Sequence, residues 1–122
     1  MHILVVDDEH DVQLLFEQRF RRELRAAEIA LHFACSGEAA LATLKRPEAG
    51  PVGLILSDIN MPGMSGLELL KRVKACYAHL KVFLLTASSD ADNYDTAMHS
   101  GADAYLTKPI DFAALKQTIQ AL

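Results

Sequence analysis

The chain has 122 residues, the size of one domain, and 51% of it is hydrophobic, enough for a real core. A net charge of −4 argues against a basic, duplex-coating protein that binds nucleic acid directly. The distant Cys35 and Cys76 form no CxxC motif, and the start MHILVVDDEH is neither signal peptide nor membrane span, so a soluble cytoplasmic protein with reduced thiols and no membrane partner is expected.

Ile3–Val6 reads as the first strand, and it runs directly into Asp7, Asp8 and Glu9. Val12, Leu15, Phe16, Phe20 and Leu24 recur at helical spacing and predict one long first helix. Arg19, Arg21, Arg22 and Arg25 gather late in it, where cations suit the negative dipole end. A solvated helix end is therefore expected there rather than a binding patch. Ile29–Phe33 is the second strand, and Ser36 caps a second helix carrying Ala39, Leu41 and Leu44. The run RPEAGP breaks the chain.

Val52–Leu56 is the third strand, leading to Asp58 and a Met-Pro-Gly turn. Ser65 and Glu68 have capping-box spacing and open a third helix with Leu67, Leu70 and Val73 inward. Lys81–Leu85 is the fourth strand, with Thr86 at its end. A fourth helix runs roughly from Asp90 to His99 and stops at Gly101. Ala104–Leu106 is the fifth strand, with Lys108 and Pro109 beyond it. Asp111 caps the fifth helix, and Ile110 with Leu115 fits a hydrophobic staple.

Strand and helix alternate five times, which implies an α/β fold: a parallel sheet with helices on both faces. The expectation is one domain over residues 1–122, a flavodoxin-like, doubly wound (βα)5 three-layer sandwich. The sheet order 2-1-3-4-5 is adopted from that class of folds rather than derived from these residues. The five histidines, His2, His10, His32, His79 and His99, show no metal-ligand spacing and read as scattered surface or strand-end positions.

In such a sheet, ligands bind beyond the carboxyl ends of the strands where the winding reverses. That point lies between strands 1 and 3, so Asp7, Asp8 and Asp58 meet in one cleft. A pair of carboxylates about 4 Å apart repels by about 4 kcal/mol at an effective dielectric near 20. A hard divalent cation relieves this, and an all-oxygen set with few protein ligands favours Mg2+, with a backbone carbonyl at Asn60 available to it. Lys108 and Thr86 at the neighbouring strand ends suit a phosphoryl group carried on Asp58. Each residue alone has a plainer reading as a turn, cap or solvated side chain. Their joint placement at one end of four strands does not.

With VVDDE, LILSDINMPGMSG, LLTASS and AYLTKPID in this order, the chain resembles the receiver domain of the bacterial response regulator family, over essentially its whole length. The resemblance implies that Asp58 is the phosphoacceptor and that Lys108 and Thr86 act on the phosphoryl group. It implies that Asp7, Asp8, Asp58 and Asn60 hold Mg2+, or Mn2+ in its place. It also implies a Lys108–Pro109 cis peptide and a switch pair of Thr86 and Tyr105. Side chains at Asn60 and Ser88 would tune phosphate lifetime, and Ala87 would leave the group accessible. The donor implied is a sensor histidine kinase or phosphotransfer protein docking on the first helix. The receiving party is an output domain or partner protein, or a homodimer formed through helix 4, strand 5 and helix 5.

Two other readings compete. Dehalogenase-like phosphatases share an aspartyl-phosphate, Mg2+ and a lysine, but need an acid where Asn60 stands. A receiver that only makes protein contacts would not need the full residue set. Relative to the family, the spacing from Asp8 to Asp58 is long, and the extra length is expected late in helix 1 and in KRPEAGP.

Overall fold

A computed structural model describes residues 1–46, 50–87 and 91–122, without the side chains of 91 and 92. Five strands form one parallel sheet: β1 (His2–Val6), β2 (Ala30–Ala34), β3 (Val52–Asp58), β4 (Lys81–Thr86) and β5 (Ala104–Thr107). Their order is β2-β1-β3-β4-β5. Successive residues of a strand face opposite sides, and both sides are covered. Leu4, Val6 and Ile55 pack under helices α3 (Gly37–Leu44), α4 (Gly66–Cys76) and α5 (Ala91–His99). Ile3, Val5, Leu54 and Leu56 pack under α1 (Asp11–Arg19) and α6 (Phe112–Gln120).

The caps form as the residue types require. Ser36 Oγ accepts from Ala39 N at 3.0 Å, Ser65 Oγ from Glu68 N at 3.2 Å, and Asp111 Oδ1 from Ala114 N at 3.1 Å. Gly101 ends the α5 segment with φ of 100°, a left-handed turn that glycine adopts without strain. The predicted Ile110–Leu115 staple lies in the α1/α6 core, with Leu115 buried and Ile110 packed against it.

The first helix corrects the sequence expectation. It is broken at Phe20 (φ −104°, ψ 17°), and a short α2 (Arg21–Arg25) follows. Phe16 and Phe20 are both fully buried and lie parallel at 5.8 Å, with the Phe112 ring edge-on to each. Anchored there, the chain turns rather than running on past the foot of the sheet. It passes through Ala27 at φ of 58° and brings Ala30 N onto Met1 O. Leu15, assigned to the inward stripe, is 37% exposed.

The histidines are also less scattered than expected. His2 and His32 lie on adjacent strands, with His2 Nδ1 2.9 Å from His32 Nε2. Cys35 and Cys76 are free and exposed. Among the described residues, no helix is long and apolar enough to cross a membrane. The expected helix start at Asp90 and the lifetime position Ser88 lie outside the described residues, as does part of RPEAGP.

Candidate functional site

The two central strands deliver the acids. Val6 on β1 pairs with Ser57 on β3, so the next residues, Asp7 and Asp58, emerge level with each other at the carboxyl edge. Both are 8% exposed, while Asp8 beside them is exposed. Asp7, Asp8 and Asp58 each offer one carboxylate oxygen, all within 4.8 Å of one another. Asp7 is fixed further by Glu9 N, which donates to Asp7 Oδ1 at 2.9 Å.

The cation already present among these acids is Lys108. Its Nζ donates to Asp7 Oδ2 at 3.1 Å and to Asp58 Oδ2 at 3.3 Å. Its backbone N donates to Thr86 O at 2.7 Å, which ties the exit of β5 to the end of β4. The Lys108–Pro109 peptide is cis, as the resemblance implies. Burial lifts the Asp58 carboxyl above the ordinary aspartate range. Lys108 pulls the other way, Asp7 adds to the rise, and a hydrogen bond from the Asn60 backbone opposes it. Burial disfavours the Lys108 ammonium, but its bonds and charge contacts with Asp7 and Asp58 outweigh that and raise its affinity for the proton.

Three carboxylates and one ammonium leave a local charge of about −2 when all are ionised. A divalent cation matches that deficit, and a donor set made wholly of oxygen suits a hard ion of the Mg2+ class. The residues present therefore fit the metal implied from sequence.

The remaining sequence candidates lie around this cluster. Thr86 is 1% exposed at the end of β4, and Ala87 beside it is exposed. Tyr105 on β5 is half-buried, with Tyr94 of α5 edge-on to it at 5.4 Å between ring centroids. The Tyr105 hydroxyl is buried and has no hydrogen-bond partner among the described residues. Asn60 is exposed in the turn after β3.

Sequence reasoning missed two residues that hold Asp58 in place. Ser57 is fully buried, and its hydroxyl donates to Asp58 O at 3.0 Å. Gly66 begins α4 directly against the strand tip, and its N donates to Ile59 O at 2.8 Å. Any side chain at Gly66 would overlap the Asp58 carbonyl oxygen and come within 2.8 Å of Ile59 Cα. The signal was legible in principle: a glycine directly after a capping serine, at a position where helices gain nothing from glycine.

The family model of the response regulator receiver domain matches residues 3–120. Response regulator protein FleR of Pseudomonas aeruginosa is 48% identical over 80 residues, 66% of this chain and 16% of its own length. Sporulation initiation phosphotransferase F of Bacillus subtilis is 30% identical over 120 residues, 97% of this chain and 90% of its own. Among solved structures, the response regulator protein TrrA of Thermotoga maritima, in complex with Mg2+-BeF, is 33% identical with a TM-score of 0.77. That match covers 98% of this chain and 96% of TrrA. The chain thus spans only a small part of some curated relatives, FleR among them.

Proposed function

The chain belongs to the response regulator receiver domain family, and from that premise we propose that Asp58 is its phosphoacceptor, with Asp7, Asp8, Asp58 and the Asn60 carbonyl holding Mg2+. The observation that carries this reading is the position of Asp58: at the tip of a central strand, within reach of two other acids and bonded to Lys108. A hard divalent ion there would neutralise the acids and accept phosphoryl oxygens.

The step is a phosphoryl transfer. Asp58 Oδ attacks the phosphorus of a phosphohistidine in line, forming an O–P bond while the P–N bond breaks and the electron pair leaves with the imidazole. Lys108 is the ammonium nearest the developing charge, and it moves from the carboxylates onto a phosphoryl oxygen. The Thr86 hydroxyl turns toward the same group. Tyr105 then fills the space that Thr86 leaves, and the face of α5, β5 and α6 changes shape. The equilibrium shifts only by what Thr86 and Lys108 gain from the phosphoryl group in one state over the other.

In this reading the domain acts on no substrate but its own aspartate. It works in the cytoplasm, between a histidine kinase or phosphotransfer protein and an output domain or partner. Support for the donor class comes from the B. subtilis relative, whose name marks it as a phosphotransferase. Incubation with a radiolabelled acyl phosphate and Mg2+ should label the chain with an acid-stable, base-labile phosphate. Asp58→Asn should abolish that label, and undiminished aspartyl labelling in this variant would remove Asp58 from the role.

A further inference from the structure

Five of the chain's 12 lysines and arginines line one groove, between the α1–α2 elbow and α6: Arg19, Arg21, Arg22, Arg25 and Lys116. The groove has a volume of about 730 Å3. It lies at the end of the domain opposite the acids, because α2 leads into the foot of β2, where the Met1 amine bonds Glu28 O. The one acid in its lining among the described residues, Glu23, is held by Lys116 at 3.0 Å. Burial works to lift the Glu23 carboxyl, yet the Lys116 hydrogen bond and the charges of Lys116 and Arg22 keep it below its ordinary value.

Lys116 and Glu23 cancel, and four arginines remain. Arg19 stands over the Phe112 ring, 5.5 Å from its centroid. None of the four makes an ion pair among the described residues, and all are exposed. Helix dipoles do not account for them. A helix end carries about half an elementary charge, and α2 is only 5 residues long. Two helix ends therefore offset at most about one of the four charges. A chain of net charge −4 keeps a concentrated, uncompensated positive groove.

The lining selects among anions. Planar guanidinium forks grip carboxylates and phosphates alike, two bonds at a time, so the surroundings of the arginines decide between them. The lining offers no large apolar side chain to enter a bilayer, which membrane binding by a short segment requires. It has no exposed aromatic platform for bases, since Lys116 covers Phe20 and Arg19 covers Phe112. A rigid duplex would extend beyond the groove onto a surface that is acidic overall. We infer that this groove docks an acidic peptide segment of a partner protein, at the end of the domain remote from the phosphoacceptor.

The test is fluorescence anisotropy at low salt on the full chain, with a fluorescein-labelled oligoglutamate peptide, a labelled duplex of similar charge, and phosphatidylglycerol vesicles. Oligoglutamate should bind, and tighter than the other two. The double variant Arg21→Glu/Arg25→Glu should weaken it roughly tenfold or more. Arg72→Glu, an exposed change on α4, should not. Both arginines are exposed and make no ion pair among the described residues, so an unchanged unfolding temperature is expected and serves as the folding control. Phosphodonor labelling of the double variant should match the parent. Absence of oligoglutamate binding, equal binding by the double variant, or tighter binding of duplex or vesicles would overturn the inference. None of these outcomes bears on whether Asp58 is phosphorylated.

Discussion

The Lys108 ammonium stands closer to Asp7, at 3.1 Å, than to Asp58, at 3.3 Å. The lysine therefore bridges two strand tips, and its attachment at the end of β1 does not depend on Asp58. Lys108→Met removes the one cation bonded to Asp7 and Asp58 among the described residues. In chelator, Tm should fall by roughly 5 °C or more, because a half-buried charge pair loses its partner. Saturating Mg2+ should recover much of that loss. An equal Tm in chelator would show that Lys108 does not offset the repulsion among these acids.

Asp8 is the exposed member of the acid cluster, beside the buried Asp7 and Asp58. Asp8→Asn should leave stability within about 0.5 kcal/mol. It should weaken Mg2+ binding about tenfold or more, since the site loses a charged ligand. Isothermal titration with MgCl2 decides this, and unaltered affinity would place the ion elsewhere.

Gly66→Ala sets two effects against each other. Alanine favours a helix over glycine by about 1 kcal/mol. Against that, the new methyl meets the Asp58 and Ile59 backbone, which cannot rotate away as a side chain could. Overpacking of this kind costs about 1–3 kcal/mol. The clash should win: net destabilisation of about 1 kcal/mol by urea unfolding, with slower phosphodonor labelling as Asp58 shifts. Stabilisation would mean that α4 can slide off the strand tip.

The Tyr105 hydroxyl, without a partner among the described residues, gives a prediction of opposite sign. A buried hydroxyl without a partner costs about 1–3 kcal/mol relative to a paired one. Tyr105→Phe should therefore leave the unphosphorylated domain as stable as before, or more stable by up to about 1 kcal/mol. A loss of stability of that size in denaturant unfolding would reveal a bond to the hydroxyl.

His2 and His32 make stability depend on pH. Burial pushes the His32 imidazole below its ordinary value of 6.5, and the facing His2 pushes it the same way. Their 2.9 Å contact requires one ring nitrogen without a proton, so the fold favours at least one neutral ring. Stability from this pair is present above pH 6.5 and is lost as pH falls through the lowered His32 value. His32→Leu should flatten that acid-side slope. An unchanged slope would mean the pair does not set it.

The sequence was read most accurately where local chemistry decides the outcome. The caps at Ser36, Ser65 and Asp111 and the stop at Gly101 need only their own neighbours, and each formed. The grouping of Asp7, Asp8 and Asp58 followed from strand ends plus sheet order. What escaped depends on distant partners. The break at Phe20 is set by Phe112, on a helix some ninety residues later, and no local breaker announces it. Gly66 looked like an ordinary helix start until the strand tip lay against it. The pairing of His2 with His32 needed the β1–β2 register, which periodicity does not give.

The sheet order has one more consequence. Asp58 lies on the middle strand, and both Thr86 and Lys108 stand on the β4–β5 flank. The opposite flank, β2 with α3, contributes no described residue to the candidate site. On the proposed reading, a change begun at the tip of β3 would be steered to one side of the molecule, with the other as a passive buttress. A reporter grafted onto the α3 surface should ride along silently, whereas one on α5 should register every turnover.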